Sequence, residues 1–388
     1  MAAIGHSGEE ALGTTNRGVL QSMVGVSLGK RFRLHLNLPL IDTPIFSMSD
    51  VVAGLVNTAL VSLPRHMAVV ASAFLPSVIV SDKTLFAELE SLDATLYGPY
   101  LASHWHIPLI AVTLYGVLVV GLGQLLMRHR TAFELRGLSQ TWNAIVSMFS
   151  IAGAVQLVPY AVTQLGARGG VMGATCTPST EWYMNGTAGA LTHTFMWSKF
   201  FELVDTVFLV LRKKDVIFLH WYHHITVLLF CWETLQVNPS YGFWFCAMNY
   251  TVHAIMYSYY FLMGIGVTRR LVRPIAPLIT SMQILQMVGG IVVIVVAGMY
   301  CDGKTIFADP RTSVASLLRD PAESLRLFGG VGLASNFVHG FVMYLSYLIL
   351  FINFFYQTYF AKAGKHRRAQ TTTPSTAIVG HAKHKKHQ

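Results

Sequence analysis

Charge is what this sequence has least of. Only 12% of its 388 residues are Asp, Glu, Lys or Arg, against roughly 25% in an ordinary soluble domain. Hydrophobic residues make up 53%, and mean hydropathy is +0.50. The scarcity is uneven: long stretches carry almost no charge and short connectors carry several. That excludes the two or three soluble domains the length alone would suggest and points to a polytopic membrane protein. Also lacking is any basic stretch interleaved with aromatics in a way that would stack bases. The net charge of +10 therefore does not imply nucleic acid, since most Lys and Arg flank apolar spans or lie in the last ~30 residues. No cleavable signal peptide is evident at residue 1. Cysteine is scarce too, with four in the chain, of which Cys231 and Cys246 fall inside apolar spans and read as packing residues.

What is present is a series of seven apolar spans, at 107–127, 138–162, 191–211, 217–236, 241–263, 274–299 and 335–360. Each is near the ~20 residues that cross a bilayer, and each reads as a helix, because an open strand leaves backbone groups unpaired in lipid. The connectors orient them. Arg128, Arg130 and Arg136 follow span one. Arg212, Lys213 and Lys214 follow span three. Arg269, Arg270 and Arg273 follow span five, and Lys362, Lys365, Arg367 and Arg368 follow span seven. The even connectors are poorer in Lys and Arg or balance them with acids. The N-terminus is thus expected in the lumen and the C-terminus in the cytosol. Asn185-Gly186-Thr187 is a glycosylation sequon in an expected lumenal connector. Cys176 and Cys301 fall on that same side, where a disulfide can persist; a bridge and two free thiols both remain open on this ground. Lys385-Lys386 stand fourth and third from the end, the spacing of a di-lysine retrieval signal for the endoplasmic reticulum. The expected domains are an extension over 1–95, a seven-helix domain over 96–365 and a basic cytosolic tail over 366–388. Within the extension, the apolar runs 51–63 and 67–80 are each too short to span well.

Ionisable groups inside a membrane are costly, and this chain concentrates them in four consecutive spans. In span three, Lys199, Glu202, Asp205 and Thr206 fall within about 120° of arc on one helical face. A structural ion-pair network and direct function are both compatible with that. In span four, His220, His223 and His224 place three imidazoles within about 100° of one another, more than packing would ask of one face in a membrane helix. In span five, Asn249, His253 and Tyr257 follow i, i+4, i+8 on one face. Tyr259 and Tyr260, at the helix end, read as an interfacial belt. In span six, Thr280, Gln283 and Gln286 stack at i, i+3, i+6, as interhelical glue or as substrate contacts. His193 and His339 are isolated in the sequence.

Two chemistries fit such a set. Imidazoles ligate iron or zinc, and H-x-x-H-H resembles one histidine box of the membrane di-iron desaturases and hydroxylases. Those enzymes use several boxes, however, and here one box plus His253 leaves a metal site short of ligands. The other chemistry is covalent: a neutral buried imidazole attacks a thioester and holds the acyl group, while neighbouring histidines move protons. It needs no metal and no cofactor. A seven-helix receptor or transporter is the non-enzyme alternative, although the histidine cluster has no inverted counterpart elsewhere in the chain.

At these motifs the sequence resembles the very-long-chain fatty acid elongases, the ELO family of 3-ketoacyl-CoA synthases. The matching segments are Lys199-Phe-Phe-Glu202-Leu-Val-Asp205-Thr206, His220-Trp-Tyr-His223-His224, Asn249-Tyr-Thr-Val-His253-Ala-Ile-Met256-Tyr257-Ser-Tyr259-Tyr260 and Thr280-Ser-Met-Gln283-Ile-Leu-Gln286. All four occur in family order, over about residues 95 to 365. The run Phe218-Leu-His-Trp-Tyr-His-His-Ile-Thr-Val-Leu-Leu is most like the subgroup acting on saturated and monounsaturated chains. The resemblance implies an all-α integral membrane protein of seven transmembrane helices, with spans two to seven as two inverted three-helix units around an acyl tunnel. It implies the condensation of malonyl-CoA with a long-chain acyl-CoA to give 3-ketoacyl-CoA, CO2 and CoA. The acyl group would rest on His223, and His253 would handle decarboxylation or protons. His220, His224, Asp205, Glu202 and Asn249 complete the expected catalytic set, and Lys199, Tyr257, Gln283 and Gln286 the expected substrate contacts. A Cys176–Cys301 bridge is implied as well. So are the lipid bilayer of the endoplasmic reticulum and, as partners, a ketoacyl-CoA reductase, a dehydratase and an enoyl reductase. A homodimer is compatible with it. Chain length would depend on the depth of the tunnel, capped by bulky residues on spans five to seven.

Overall fold

The structure, a computed structural model, describes residues 84–301 and 332–361 together with Ala53, Asn57, Ala68 and Ser72. Most of the apolar runs 51–63 and 67–80, most of the 300–334 connector and the di-lysine tail lie outside the described residues. Among the described residues the fold is all helical, with no named strand. It consists of α1 (Thr84–Glu90), α2 (Gly98–Ser103), α3 (His106–Met127), α4 (Arg136–Ala167), α5 (Gly170–Cys176), α6 (Gly186–Glu202), α7 (Val204–Leu211), α8 (Phe218–Val237), α9 (Gly242–Gly264), α10 (Arg269–Tyr300) and α11 (Leu333–Ala361). Helices α3, α4, α10 and α11 are long and apolar enough to cross a membrane. The protein is an all-α membrane protein. Helix α6, with 17 residues, is shorter than those helices, and α8 and α9 carry the histidines of the polar motifs.

The long helices close into a ring. Helix α4 packs along α9, α9 on α10, α10 on α11, α11 on α8, α8 on α6, and α6 returns to α4. The first three expected spans of the ring therefore hold one arc and the last three the other. Helix α3 stands outside the ring, against α8 and α7, with much of its surface apolar and exposed (Leu109, Leu118 and Leu125 among it). Two glycines let aromatic rings pack directly on a neighbouring helix. A Cβ on Gly153 would sit 2.5 Å from the Tyr250 ring, and one on Gly290 would sit 2.2 Å from the Tyr344 ring. Small residues that let aromatic side chains and backbones approach are how helices pack where lipid supplies no hydrophobic drive.

One span departs from the single helix its pattern predicts. It is divided at Leu203 between α6 and α7, where the Thr206 amide bonds back to the Leu203 carbonyl at 3.2 Å in a tight turn. That turn falls between Glu202 and Asp205, so the two carboxylates point to different partners instead of sharing one ladder. Helix α8 ends at Asn238, which takes a left-handed conformation (φ 49°, ψ 54°) before Pro239, a stop signal common to Asn and Gly.

Leu85, Leu89 and Ala94 are buried in the same core as α6 and α9. The Ala94 amide donates to the Met184 carbonyl and the Gly186 amide to the Leu92 carbonyl, each at 2.8 Å. Cys176, at the end of α5, is bonded to Cys301, just beyond α10. Asn185 of the sequon is exposed, with its amide nitrogen held by the Thr180 carbonyl at 2.7 Å.

Candidate active site

The ring encloses a polar cavity of about 400 Å³. Its wall includes Glu202, Asp205, His220, His223, His224, Asn249, His253, Tyr257, Gln283 and Gln286. These residues come from α6 to α10, and among the residues singled out in the sequence as catalytic or substrate contacts Lys199 alone is off the wall. Lys199 is 2% exposed, and its ammonium is held between Glu202 Oε1 at 2.7 Å and Asn249 Oδ1 at 2.9 Å, over the face of Phe195. Lysine and glutamate one turn apart meet across i, i+3, and Asn249 ties that pair to α9.

The carboxylates differ in how fully they are used. Asp205 accepts from the Trp142 indole at Oδ1, 2.6 Å away, and from the Tyr257 hydroxyl at Oδ2. Both of its oxygens are fixed, which suits a positioning role. Glu202 Oε1 accepts from Lys199 and from Ser198 at 3.2 Å, and His253 Nδ1 stands 3.8 Å from it. Glu202 Oε2 is buried with no hydrogen-bond partner.

The histidines form a connected set. The His220 and His224 rings are 4.5 Å apart, and those of His223 and His224 5.7 Å. His220 Nε2 shares a hydrogen bond with Thr206 Oγ1 at 2.8 Å, and Thr206 in turn meets the Tyr115 hydroxyl at 2.7 Å. His223 is packed against the Tyr347 ring, centroids 4.8 Å apart. The Nδ1 atoms of His223 and His224 are buried without partners. Among the described residues no three His, Cys, Asp or Glu side chains are grouped so as to hold a metal ion.

A second, narrow cavity of about 50 Å³ runs away from this chamber. His223, Asn249, Gln286 and Met287 line both, so His223 stands at the junction. Beyond it the wall is mainly apolar and aromatic, with Phe195, Phe230, Phe245, Tyr344 and Tyr347. The far end is formed by Tyr183, Thr234, Asn238 and Gly242. Tyr183 and Asn238 lie on connectors, so the end of this cavity is not made by spans five to seven alone. The Tyr183 hydroxyl donates to the Pro239 carbonyl, and burial raises its pKa well above the ordinary phenol range, which keeps it a neutral donor. Away from the channel, the chamber's wall includes Ser139, Arg212, Ile217 and Phe354. Arg212 donates to Ser139 at 3.1 Å.

The family follows from this chain's match to known sequences. Residues 100–367 match the GNS1/SUR4 (ELO) family. The chain belongs to that family. Among its relatives, "Fatty acid elongase 3" of Trypanosoma cruzi is 38% identical over 285 residues, covering 68% of this chain and 87% of that protein. The protein of the same name in Trypanosoma brucei brucei is 36% identical, covering 72% and 92%. "Very long chain fatty acid elongase 6" of Gallus gallus is 34% identical, covering 69% and 90%.

Several contacts in and around this ELO-family site were not expected from the sequence. Trp142 stands in α4, 63 residues from its partner Asp205, and nothing in its own span marks it. Tyr347 donates to the His223 carbonyl at 3.2 Å across 124 residues. Tyr260, which reads as interfacial belt, lines the chamber. His339, isolated in the sequence, meets the buried Glu233 at 2.8 Å.

Proposed function

We propose that this protein is a fatty acid elongase that condenses malonyl-CoA with a long-chain fatty acyl-CoA, holding the acyl group covalently on His223. The observation that carries the reading is the place of His223. It stands where a polar chamber meets a narrow apolar channel, with a buried ring nitrogen that has no partner. An acyl thioester fits that junction with its chain in the channel and its CoA toward Arg212.

His223 attacks the thioester carbonyl, the carbon–sulfur bond breaks, and the imidazole proton passes to the CoA thiolate. Malonyl-CoA then loses CO2, and the carbanion left on its second carbon attacks the acyl-imidazole carbonyl. The carbon–nitrogen bond breaks, 3-ketoacyl-CoA leaves, and the ring regains a proton from solvent. Glu202 holds His253 in register, and His253 serves the malonyl group, contacts of the kind that tighten once substrate is bound. Asp205, saturated by Trp142 and Tyr257, keeps the wall in shape. The reaction uses no cofactor beyond its two thioesters. In this reading the protein is a multi-pass enzyme of the endoplasmic reticulum membrane, with its N-terminus lumenal, its chamber open to the cytosol, and a reductase, a dehydratase and an enoyl reductase downstream.

The test is direct. Purified protein in detergent is given palmitoyl-CoA and malonyl-CoA without NADPH, and 3-ketoacyl-CoA is followed by mass spectrometry beside His223→Ala. Product from the wild type and none from the variant is expected, with an acyl adduct on the intact wild-type protein when malonyl-CoA is withheld. Product from His223→Ala at the wild-type rate would remove His223 from the centre.

A further inference from the structure

The far end of the narrow channel is not apolar. Asn238 Oδ1 is buried there without a hydrogen-bond partner, beside Thr234 on the same wall. The rest of the residue is firmly placed. Its amide donates to the Thr234 carbonyl at 2.9 Å, and its own carbonyl accepts from Ser179 at 2.6 Å. The left-handed backbone at Asn238 accounts for choosing Asn or Gly; it does not account for an amide oxygen left bare at the end of an apolar channel. A methyl-ended chain would leave that oxygen desolvated, whereas a terminal hydroxyl would satisfy it.

The distance sets a length. From His223 to Asn238 the helical rise is about 22 Å, at about 1.5 Å per residue. A carbon–carbon bond of about 1.5 Å advances an extended chain roughly 1.3 Å, so about 16–18 carbons fill that distance. The channel is narrow, and four methionines in its wall, Met184, Met196, Met287 and Met343, are the side chains best able to adjust to a chain.

We infer that the channel end is a socket for an acyl chain of about 16–18 carbons carrying a hydroxyl on its last carbon, with that hydroxyl donating to Asn238 Oδ1. This rests on the elongase reading and names a substrate class for it, the ω-hydroxyacyl-CoAs.

The experiment compares kcat/KM for 16-hydroxypalmitoyl-CoA and palmitoyl-CoA, as a ratio within each protein, for the wild type, Asn238→Gly and Asn238→Asp. Glycine keeps the left-handed backbone and removes the acceptor; aspartate keeps an acceptor. A wild-type ratio near or above one is expected, with a fall of roughly tenfold in Asn238→Gly and little change in Asn238→Asp. With 12-hydroxylauroyl-CoA, too short to reach, the ratio to lauroyl-CoA is expected not to depend on residue 238. A channel that ends as plain hydrocarbon rejects an added hydroxyl by roughly a hundredfold, and that result in the wild type would overturn the socket. So would a ratio unaltered in Asn238→Gly, or, if that variant does not fold, an unaltered ratio in Asn238→Ala, which also removes the acceptor. Elongation of palmitoyl-CoA with rejection of the hydroxylated chain sinks the socket alone. Elongation of neither chain sinks the elongase reading and the socket with it.

Discussion

Lys199→Met would break the buried ion pair behind the chamber wall, and its cost can be worked out from what it leaves behind. Lys199 and Glu202 are 2% and 4% exposed, and one carboxylate oxygen of Glu202 already has no partner. Without the ammonium, Glu202 keeps Ser198 as its one close donor, and Asn249 Oδ1 loses its donor as well. Removing one member of a buried pair costs about 3–5 kcal/mol, a large part of a total stability on the order of 5–15 kcal/mol. Methionine fills the lysine stem's volume against Phe195, so little of the loss comes from a cavity. The double variant Lys199→Met/Glu202→Gln removes both charges and should regain most of the stability. The assay is a thermal scan of detergent-purified protein at a fixed rate, because unfolding of such a protein is irreversible and the midpoint depends on the scan. The apparent Tm of the single variant should fall by roughly 5–10 °C, with the double variant less than half as far below wild type. Condensing activity should be lost in the double variant, where residue 202 no longer presents a carboxylate to His253. A single variant within about 2 °C of wild type, or a double variant less stable than the single one, would show that the pair is solvated and that the wall argument is wrong.

Two further outcomes follow from the packing. Cys176→Ser should lower stability by up to about 5 kcal/mol by the loop-entropy relation, because the bridge closes a separation of 125 residues; chemical unfolding with and without reductant checks it, and an unchanged midpoint would mean the thiols are free. Gly290→Ala should cost about 1–3 kcal/mol, since its Cβ would lie 2.2 Å from the Tyr344 ring. Because Tyr344 lines the channel, the product profile should change too, and Tyr344→Leu in the same chain should restore the melting temperature.

Much of the site is legible because its constraints are local. Three imidazoles at i, i+3 and i+4 share a face whatever surrounds the helix, and a charge in an apolar span demands a partner wherever that span packs. His220, His223 and His224 on one helix, and Asn249, His253 and Tyr257 on another, were therefore candidates from periodicity and cost alone. The Lys199–Glu202 pair is local in the same way. Asp205 is the limit of such reasoning: its spacing puts it on the Lys199 face of a regular helix, and the turn at Leu203, which the apolar pattern does not signal, sends it to Trp142 and Tyr257 instead.

By itself the sequence determined the helical class, the membrane setting and the histidine face, because each depends on the composition and period of a single segment. Tertiary structure alone decided the ring order of the helices, the burial of Lys199 behind the wall, and the meeting of Trp142 with Asp205 and of Tyr347 with His223. It alone placed Asn238 and Thr234 at the end of the channel. Those contacts join residues tens to more than a hundred positions apart, and no periodicity within one helix encodes which face of another it will meet.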